Sequence, residues 1–143
     1  MGKLKRVPVV YLAGGMRSNW QDSVKEKVKN AGSMAIFIDP REHGSKDEVE
    51  YTSWDLEGVR RADIIFAFLE KDNPNGAGLA LEIGYAAGLN ESLGELKKKI
   101  VFTAEPEFPA LRYFGMARAC ADRCAESLEE GVAALIDTIY WFE

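Results

Sequence analysis

Short apolar runs alternate along the whole chain with longer segments in which apolar residues recur at helical spacing. The runs are nearly continuous and rich in Val, Ile and Phe, which is typical of parallel strands covered on both faces. The pattern predicts strands at Val7–Leu12, Met34–Ile38, Ile64–Leu69 and Ile100–Thr103, with a weaker fifth strand at Ala121–Cys124. It predicts helices at Trp20–Ala31, Tyr51–Ala62, Ala77–Leu89, Pro109–Cys120 and Leu128–Phe142.

Alternating strands and helices favour an α/β fold built from βαβ units. We therefore predict a three-layer fold, flavodoxin-like or Rossmann-like, in which helices cover both faces of a parallel sheet of four to five strands. No repeat, low-complexity tract or linker interrupts the pattern, so residues 1–143 are expected to form a single domain. Ligands of such sheets bind beyond the carboxyl ends of the strands, which directs attention to the loops Ala13–Asn19, Asp39–Gly44 and Glu70–Gly78.

Composition and charge exclude several classes of function. Hydrophobic residues make up 47% and charged residues 29% of the chain, as in soluble globular proteins, and the net charge of −5 disfavours duplex nucleic acid as a partner. The apolar stretch near the N-terminus is too short for a signal peptide or a membrane helix, so we expect a cytoplasmic protein without membrane association. Cys120, Cys124 and a single histidine, His43, do not make an ordinary zinc site, and no metal or other cofactor is expected.

Two carboxylates are candidates for acid–base or nucleophilic chemistry, because His43 lies in a polar segment that is typical of a loop. Glu82 is the only charge in the apolar helix AGLALEIGYAAGL, and an unpaired charge in a buried helix is costly. Glycines at the start of this helix predict that Glu82 lies near the first turn, ionised and directed at the crevice. The alternative is a glutamate that only suits the helix dipole or pairs with a core arginine. Asp55 shares a helix face with Val59 and borders the buried side.

The loop LAGGMRSNW follows a strand and opens a helix, where glycines allow a ligand to approach the backbone. It lacks the G-x-G-x-x-G spacing, so a Rossmann dehydrogenase is disfavoured. Arg17 in this loop is a candidate phosphate ligand, with a solvated surface charge as the alternative. Trp54 is a candidate for stacking on a flat ring, with core packing as the alternative.

The segments YLAGG, WDLEGVRRADIIFA and GAGLALEIGYAAGLN resemble the nucleoside 2-deoxyribosyltransferase family. The resemblance implies that Glu82, four residues after Gly78, is the nucleophile. It implies that Asp55, eight residues before Asp63, contacts or protonates the base, and that Tyr11 orients the nucleophile. It also implies contacts with substrate from the loops and from the helix start, at Gly14, Gly15, Met16, Arg17, Asp39, Trp54, Asn75, Gly76 and Gly78.

The implied activity is cleavage and transfer of the N-glycosidic bond of (2′-deoxy)ribonucleosides by a retaining double displacement through a glycosyl-glutamate intermediate. The expected partners are a nucleoside or nucleotide and a free nucleobase. Three alternatives stay open: a nucleoside 5′-monophosphate N-glycosidase in which Arg17 holds the phosphate, an NAD glycohydrolase, and a non-catalytic nucleotide-binding module.

The chain departs from the family pattern at the position that holds the 5′ end of the substrate. Gly76 stands where transferases tend to carry an aspartate and the monophosphate hydrolases a serine, and Asn75 or the Gly76 N–H group is the candidate substitute. The resemblance also implies a homodimer or larger homo-oligomer. Contacts between subunits are expected from the segment that contains Arg112, Tyr113, Phe114 and Met116, the alternative being a helix that packs on its own sheet.

Overall fold

The computed structural model describes residues 6–73 and 76–142. Its strands are β1 Val9–Gly14, β2 Ile36–Ile38, β3 Ile64–Leu69, β4 Lys99–Ala104 and β5 Arg123–Ala125. Its α-helices are α1 Trp20–Asn30, α2 Glu48–Arg61, α3 Ala77–Asn90, α4 Gly115–Cys120 and α5 Leu128–Tyr140. One-turn 3₁₀ helices occupy Pro40–Glu42, Gly94–Leu96 and Leu111–Phe114.

The strands form one sheet in the order β2-β1-β3-β4-β5, and every neighbouring pair is parallel. The predicted α/β fold and the weaker fifth strand are therefore confirmed. On β1, Tyr11 lies between Ile38 of β2 and Ile65 of β3. Strand β1 therefore lies inside the sheet, and its carboxyl end lies between the carboxyl ends of β2 and β3.

Side chains of successive strand residues alternate between two hydrophobic cores. Tyr11 and Ala13 lie in the core that includes residues of α2, α3 and α4. Val10 and Leu12 lie in the opposite core, which includes residues of α1 and α5. Because Tyr11 belongs to the first set, its phenol points toward the side of the sheet that α2 and α3 cover.

Most element boundaries differ from the sequence prediction, and three of the differences have a local physical cause. Strand β1 begins at Val9 because Pro8 has no N–H group to donate to the ladder. Helix α2 begins three residues before the predicted start because the Asp47 carboxylate accepts a hydrogen bond from the Glu50 N–H group at 3.0 Å and caps the helix. The predicted helix Pro109–Cys120 is divided at Phe114, whose φ of −102° and ψ of 19° are not helical.

The C-terminal end of α2 is held by a buried lysine. The Lys98 ammonium donates hydrogen bonds to the carbonyl oxygens of Arg60 and Ala62, both at 2.6 Å. These carbonyls lie at the end of the helix, where no intrahelical donor remains for them. Burial lowers the pKa of Lys98. The contact fixes the helix that carries Asp55 to the start of β4.

Candidate active site

A cavity of about 840 Å³ opens at the carboxyl ends of β1, β2 and β3. Such crevices are where ligands bind in open parallel sheets. Its lining comes from the loops that follow these three strands and from the helices α2 and α3. The lining residues are Tyr11, Gly14, Gly15, Met16, Arg17, Pro40, Arg41, His43, Gly44, Ser45, Lys46, Tyr51, Asp55, Asn73, Gly78 and Glu82.

Glu82 and Tyr11 form a hydrogen-bonded pair in this cavity. The Tyr11 hydroxyl donates to Oε2 of Glu82, and both side chains are buried. Burial, followed by the charge of Glu82, raises the pKa of Tyr11, so the phenol keeps its proton and remains a donor. The structure therefore holds one carboxyl oxygen of Glu82 in place.

The surroundings of Glu82 correct one expectation. The residue lies in the second turn of α3, beyond the range in which the helix dipole favours an anion, and only 9% of it is exposed. Burial raises the pKa of Glu82 to about 8; the Tyr11 hydrogen bond opposes this and the charge of Asp55 adds to it. Burial thus disfavours the ionised form of Glu82, which a position near the helix start was predicted to favour.

Asp55 is paired with a histidine that sequence reasoning assigned to a polar loop. Nε2 of His43 lies 3.1 Å from Oδ1 of Asp55, while Nδ1 of His43 accepts a hydrogen bond from the Ser45 N–H group at 3.0 Å. In neutral His43 the proton is therefore on Nε2, which donates to Asp55. The φ of +64° at Gly44, in the left-handed region that favours glycine, makes the turn between His43 and Ser45.

The ionisation of Asp55 is set by two opposing effects. Burial raises its pKa, and the nearby His43 lowers it without cancelling the effect of burial. A carboxyl with a raised pKa holds a proton more readily, which suits a group that donates to a leaving base.

The loop after β1 is tied to the loop after β3. The Asn73 side chain packs so closely on Gly15 that a Cβ atom at that position would lie 2.2 Å from Oδ1 of Asn73. The same Oδ1 accepts the Arg17 N–H group at 3.3 Å, and Glu70 accepts the Ser18 hydroxyl at 2.6 Å. Glu70 thus connects two loops, and Asn73 lines the cavity although the sequence analysis did not select it.

Cations line the cavity that contains the buried carboxyls. Arg17 is exposed, and its guanidinium has no acceptor within residues 6–73 and 76–142. Lys46, also exposed, has no ion pair in the same part of the chain. An anionic group of a ligand is the natural counterpart of such unpaired cations.

Several residues expected to bind substrate lie elsewhere. The Asp39 side chain is fully buried outside the cavity lining, in ion pairs with Lys25 and Arg41. Trp54 is 46% exposed in a separate groove and packs on His43, with 5.4 Å between the ring centroids. Gly76 does not line the cavity either.

The position of Gly76 is filled from another element. A Cβ atom on Gly76 would lie 2.3 Å from the Phe114 ring, and its φ of +155° disfavours other residues. An aspartate or serine side chain therefore does not fit at this position unless the Phe114 ring moves. The second candidate for the 5′ end, Asn75, lies outside the described residues.

The described residues contain no group of three or more His, Cys, Asp or Glu side chains placed to hold a metal ion. Cys120 and Cys124 are exposed free thiols. None of the helices among these residues is long and apolar enough to cross a membrane.

Known proteins resemble this chain in sequence and in fold. A family model described as nucleoside 2-deoxyribosyltransferase like matches residues 7–99, more than half of the chain and all of the strands and helices that line the cavity. A search of curated protein sequences gives no match.

Two solved structures share the fold. One is a 2-desoxiribosyltransferase from Leishmania mexicana, with a TM-score of 0.61 and 18% identity over 91% of this chain and 97% of that chain. The other is a CMP N-glycosidase from Clostridium botulinum, with a TM-score of 0.52 and 16% identity over 89% of this chain and 96% of that chain. The family match extends from β1 to the start of β4 and includes Tyr11, Asp55 and Glu82. This chain belongs to the nucleoside 2-deoxyribosyltransferase-like family.

Proposed function

We propose that this protein cleaves the N-glycosidic bond of a nucleoside or nucleotide and transfers the sugar through a covalent intermediate on Glu82. The observation that carries the proposal is the buried Tyr11–Glu82 pair in a cavity that also contains Asp55. Two carboxyls in one cavity, one oriented by a phenol and the other beside a histidine, suit the division between nucleophile and acid.

The first half of the reaction forms a glycosyl ester. A carboxylate oxygen of Glu82 attacks the anomeric carbon, and the N-glycosidic bond breaks with its electron pair going to the base nitrogen. Asp55 gives its proton to the departing base. In the second half an acceptor base or water attacks the same carbon, the ester bond breaks back to the Glu82 carboxylate, and Asp55 takes up the proton of the incoming group.

The two carboxyls share the proton that the reaction needs. The reactive form has Glu82 ionised and Asp55 protonated, and the charge of Asp55 is one cause of the raised pKa of Glu82. Repulsion within one cavity disfavours ionisation of both groups, so the pair titrates as a unit. The hydrogen bond from Tyr11 favours the form in which the charge is on Glu82.

A second candidate function is hydrolysis of nucleoside 5′-monophosphates, which is favoured by the unpaired guanidinium of Arg17 at the cavity. A phosphate group would pair with this cation in a bidentate arrangement. Because Phe114 excludes a polar side chain at position 76, Arg17 would supply the contact to the 5′ end.

The test incubates the wild-type protein with deoxynucleosides, deoxynucleoside 5′-monophosphates and NAD, each with and without a free acceptor base, and follows products by chromatography. New nucleoside that appears only with an acceptor indicates a transferase, and base release from monophosphates alone indicates the hydrolase. Glu82→Gln is expected to lose activity by about 1,000-fold or more while keeping the fold. Substantial activity in this variant would contradict the nucleophile assignment, and saturable nucleoside binding without base release would indicate a binding module.

A pair of arginine variants separates the two candidates. Arg17→Gln is expected to lower kcat/KM for monophosphates by about 10- to 100-fold and to leave free nucleosides unaffected. Arg60→Gln is the matched control, because Arg60 pairs only with the exposed Glu57 on α2, away from the cavity. An equal loss in Arg17→Gln for both substrate classes would argue against phosphate binding.

We also propose that the protein forms a homodimer or larger homo-oligomer through the segment around α4. Tyr113 and Met116 are 72% and 86% exposed, and Leu81 of α3 is an exposed apolar side chain as well. Light scattering of Met116→Glu, compared with wild type, tests the proposal, since a buried charge at an interface is costly. If wild type and Met116→Glu both had the mass of a single chain, the proposal would be contradicted.

A further inference from the structure

The topology gives the cavity two distinguishable ends. Strand β1 carries Tyr11 and lies between β2 and β3, so the Tyr11–Glu82 pair lies between the loops that follow these two strands. Residues 40–46 follow β2 and form one end, which we call the β2 wall. Asn73, in the loop that follows β3, and Gly78, in the first turn of α3, line the other end.

The β2 wall lies beside the residue assigned to the base. His43 belongs to this wall and is hydrogen-bonded to Asp55. In the proposed reaction Asp55 contacts the departing base, so the base faces the β2 wall and the sugar 5′ end faces Asn73 and Arg17. This step rests on the proposed function.

Arg41 is the most rigidly held side chain of the β2 wall. Its Nε donates to both carboxylate oxygens of Asp39 at 3.1 Å, and its Nη2 donates to Asp39 at 2.6 Å and to Asp22 at 2.7 Å. Asp39 is fully buried and also accepts the backbone N–H group of Arg41 at 3.0 Å. Two carboxylates therefore fix the plane of the guanidinium before any ligand binds.

The fixed guanidinium retains donor capacity. Nη1 has only one acceptor in the part of the chain that the structure describes, Oδ2 of Asp22 at 3.4 Å. A guanidinium has two protons on this nitrogen, so at least one is available to a ligand in the cavity that Arg41 lines. A planar donor whose orientation is already fixed can recognise a carbonyl oxygen on a flat ring by a hydrogen bond.

The other polar groups of the wall are also donors or already occupied. The Lys46 ammonium is an unpaired donor, and the Ser45 hydroxyl accepts from the Asp47 N–H group at 3.3 Å, which leaves its proton to donate. Both ring nitrogens of His43 have partners. Glu42, the carboxylate of residues 40–46, pairs with Lys25 and does not line the cavity. An amino group on the base would therefore meet mainly donors on this wall, whereas a carbonyl oxygen would meet hydrogen-bond partners.

We infer that Arg41 is a specificity-determining residue that selects bases carrying a carbonyl oxygen over bases carrying an amino group at the corresponding ring position. The contact is a hydrogen bond from Nη1 of Arg41 to that oxygen. Asp39 and Asp22 act as positioning residues, because each binds the guanidinium and neither lines the cavity. The expected substrates are nucleosides or nucleotides of uracil or hypoxanthine type, and the disfavoured ones are of cytosine or adenine type.

The test compares kcat and KM for deoxyuridine with deoxycytidine and for deoxyinosine with deoxyadenosine, each also as the 5′-monophosphate. Wild type is expected to prefer the oxo base by about 10-fold or more. Arg41→Met should lower kcat/KM for the oxo substrates by about 10- to 100-fold, mainly through KM, and leave the amino substrates nearly unchanged. Arg60→Met, which removes an arginine that pairs only with Glu57, should change neither class.

Arg41→Met leaves the buried Asp39 with Lys25 as its remaining ion-pair partner, so the double variant Asp39→Asn/Arg41→Met keeps the test available if the single variant does not fold. An equal loss for both substrate classes, or a wild-type protein without oxo preference, would overturn the inference.

Calorimetry of free hypoxanthine and adenine binding to the wild-type protein distinguishes failure of the inference about Arg41 from failure of the proposed function. Tighter binding of hypoxanthine that Arg41→Met abolishes would support the inference even if no substrate were cleaved. Equal binding of the two bases would count against it.

Discussion

At the scale of single residues, the Tyr11 hydroxyl controls how easily Glu82 loses its proton. Burial raises the pKa of Glu82 to about 8, and the hydrogen bond from Tyr11 is the effect that opposes this rise. Since the reactive form has Glu82 ionised and Asp55 protonated, kcat/KM is expected to be greatest while the pair holds one proton and to fall as the pH rises above about 8. Burial thus determines most of the position of this alkaline limb, and the Tyr11 hydroxyl moves it to lower pH.

Replacing this phenol moves the pH profile in a defined direction. Tyr11→Phe removes the donor and raises the pKa of Glu82 further, because a hydrogen bond to a charged group contributes about 1.5–3 kcal/mol, which corresponds to roughly 1–2 pKa units. The pH dependence of kcat/KM between pH 5 and 10 should shift upward by that amount. Tyr140→Phe, at an exposed position near the end of α5, is the control, and an unshifted profile in Tyr11→Phe would contradict the role of the hydroxyl.

Candidate site residues differ in how visible they are in a sequence. Glu82 is a lone charge in an apolar helix and Asp55 lies at the border of an apolar helix face, so both were selected as candidates from pattern alone. The pattern of apolar and polar positions does not single out His43 or Asn73. The contact of His43 depends on the left-handed turn at Gly44, and Asn73 is fixed by packing on Gly15, which is distant in the sequence.

At the scale of elements, the close approach of α2 to β1 sets the position of the Tyr11 ring. A Cβ atom on Gly58 would lie 2.9 Å from Cε2 of Tyr11 and 3.1 Å from Cγ2 of Ile38. The glycine is therefore required by space and not by its backbone angles. Any larger residue must push the ring, or the helix that also carries Asp55, away from its position.

Gly58→Ala is accordingly expected to destabilise the protein by about 1–3 kcal/mol through overpacking. A shift of the Tyr11 ring by about 1 Å would also lower kcat/KM by roughly 10- to 100-fold. Chemical denaturation and steady-state kinetics measure the two effects. Gly84→Ala on α3 is the matched control, because no atom lies within 4 Å of its added Cβ; it should gain roughly 0.5–1 kcal/mol. Equal stabilities of the two variants would refute the packing argument.

The bounds of a strand or helix can be predicted from the sequence where a continuous apolar run marks them. Strand β3 is buried on both faces and its predicted bounds, Ile64–Leu69, are those observed. Helix α2 begins earlier than predicted because its first turn is polar and depends on the Asp47 cap, which does not appear in a pattern of apolar spacing. The division of the segment before α4 likewise depends on local backbone angles at Phe114.

At the scale of the whole molecule, the buried carboxyls of Glu82 and Asp39 make the free energy of unfolding depend on pH in opposite directions. Burial raises the pKa of Glu82 from 4.5 to about 8, so between these values the unfolded chain has lost a proton that the folded protein keeps, and stability falls as pH rises. For Asp39, burial acts to raise the pKa, but hydrogen bonds from Arg41 and Lys25 outweigh it and lower the pKa. The stability that Asp39 contributes is present above pH about 3.8 and lost as pH falls further.

Glu82→Gln is therefore expected to be more stable than wild type at alkaline pH. The glutamine carries no charge, so at pH 9 its Tm should exceed that of wild type by roughly 5 °C, and the difference should nearly vanish at pH 5. Thermal unfolding followed by circular dichroism at pH 5, 7 and 9 measures this. Glu95→Gln, at an exposed glutamate before β4, should show no such trend, and a Tm difference for Glu82→Gln that is independent of pH would contradict the assigned ionisation.

The β2 wall follows a three-residue strand at the edge of the sheet, whereas Tyr11, Asp55 and Glu82 are carried by a central strand and two packed helices. His43 and Gly44 are tied to Asp55, and the remaining residues of this segment that face the cavity meet fewer constraints from the core. Under the proposed function, the choice of base is separable from bond cleavage. Under that function, exchange of the wall residues other than His43 and Gly44 is expected to change which base is bound while the groups that break the bond stay in place.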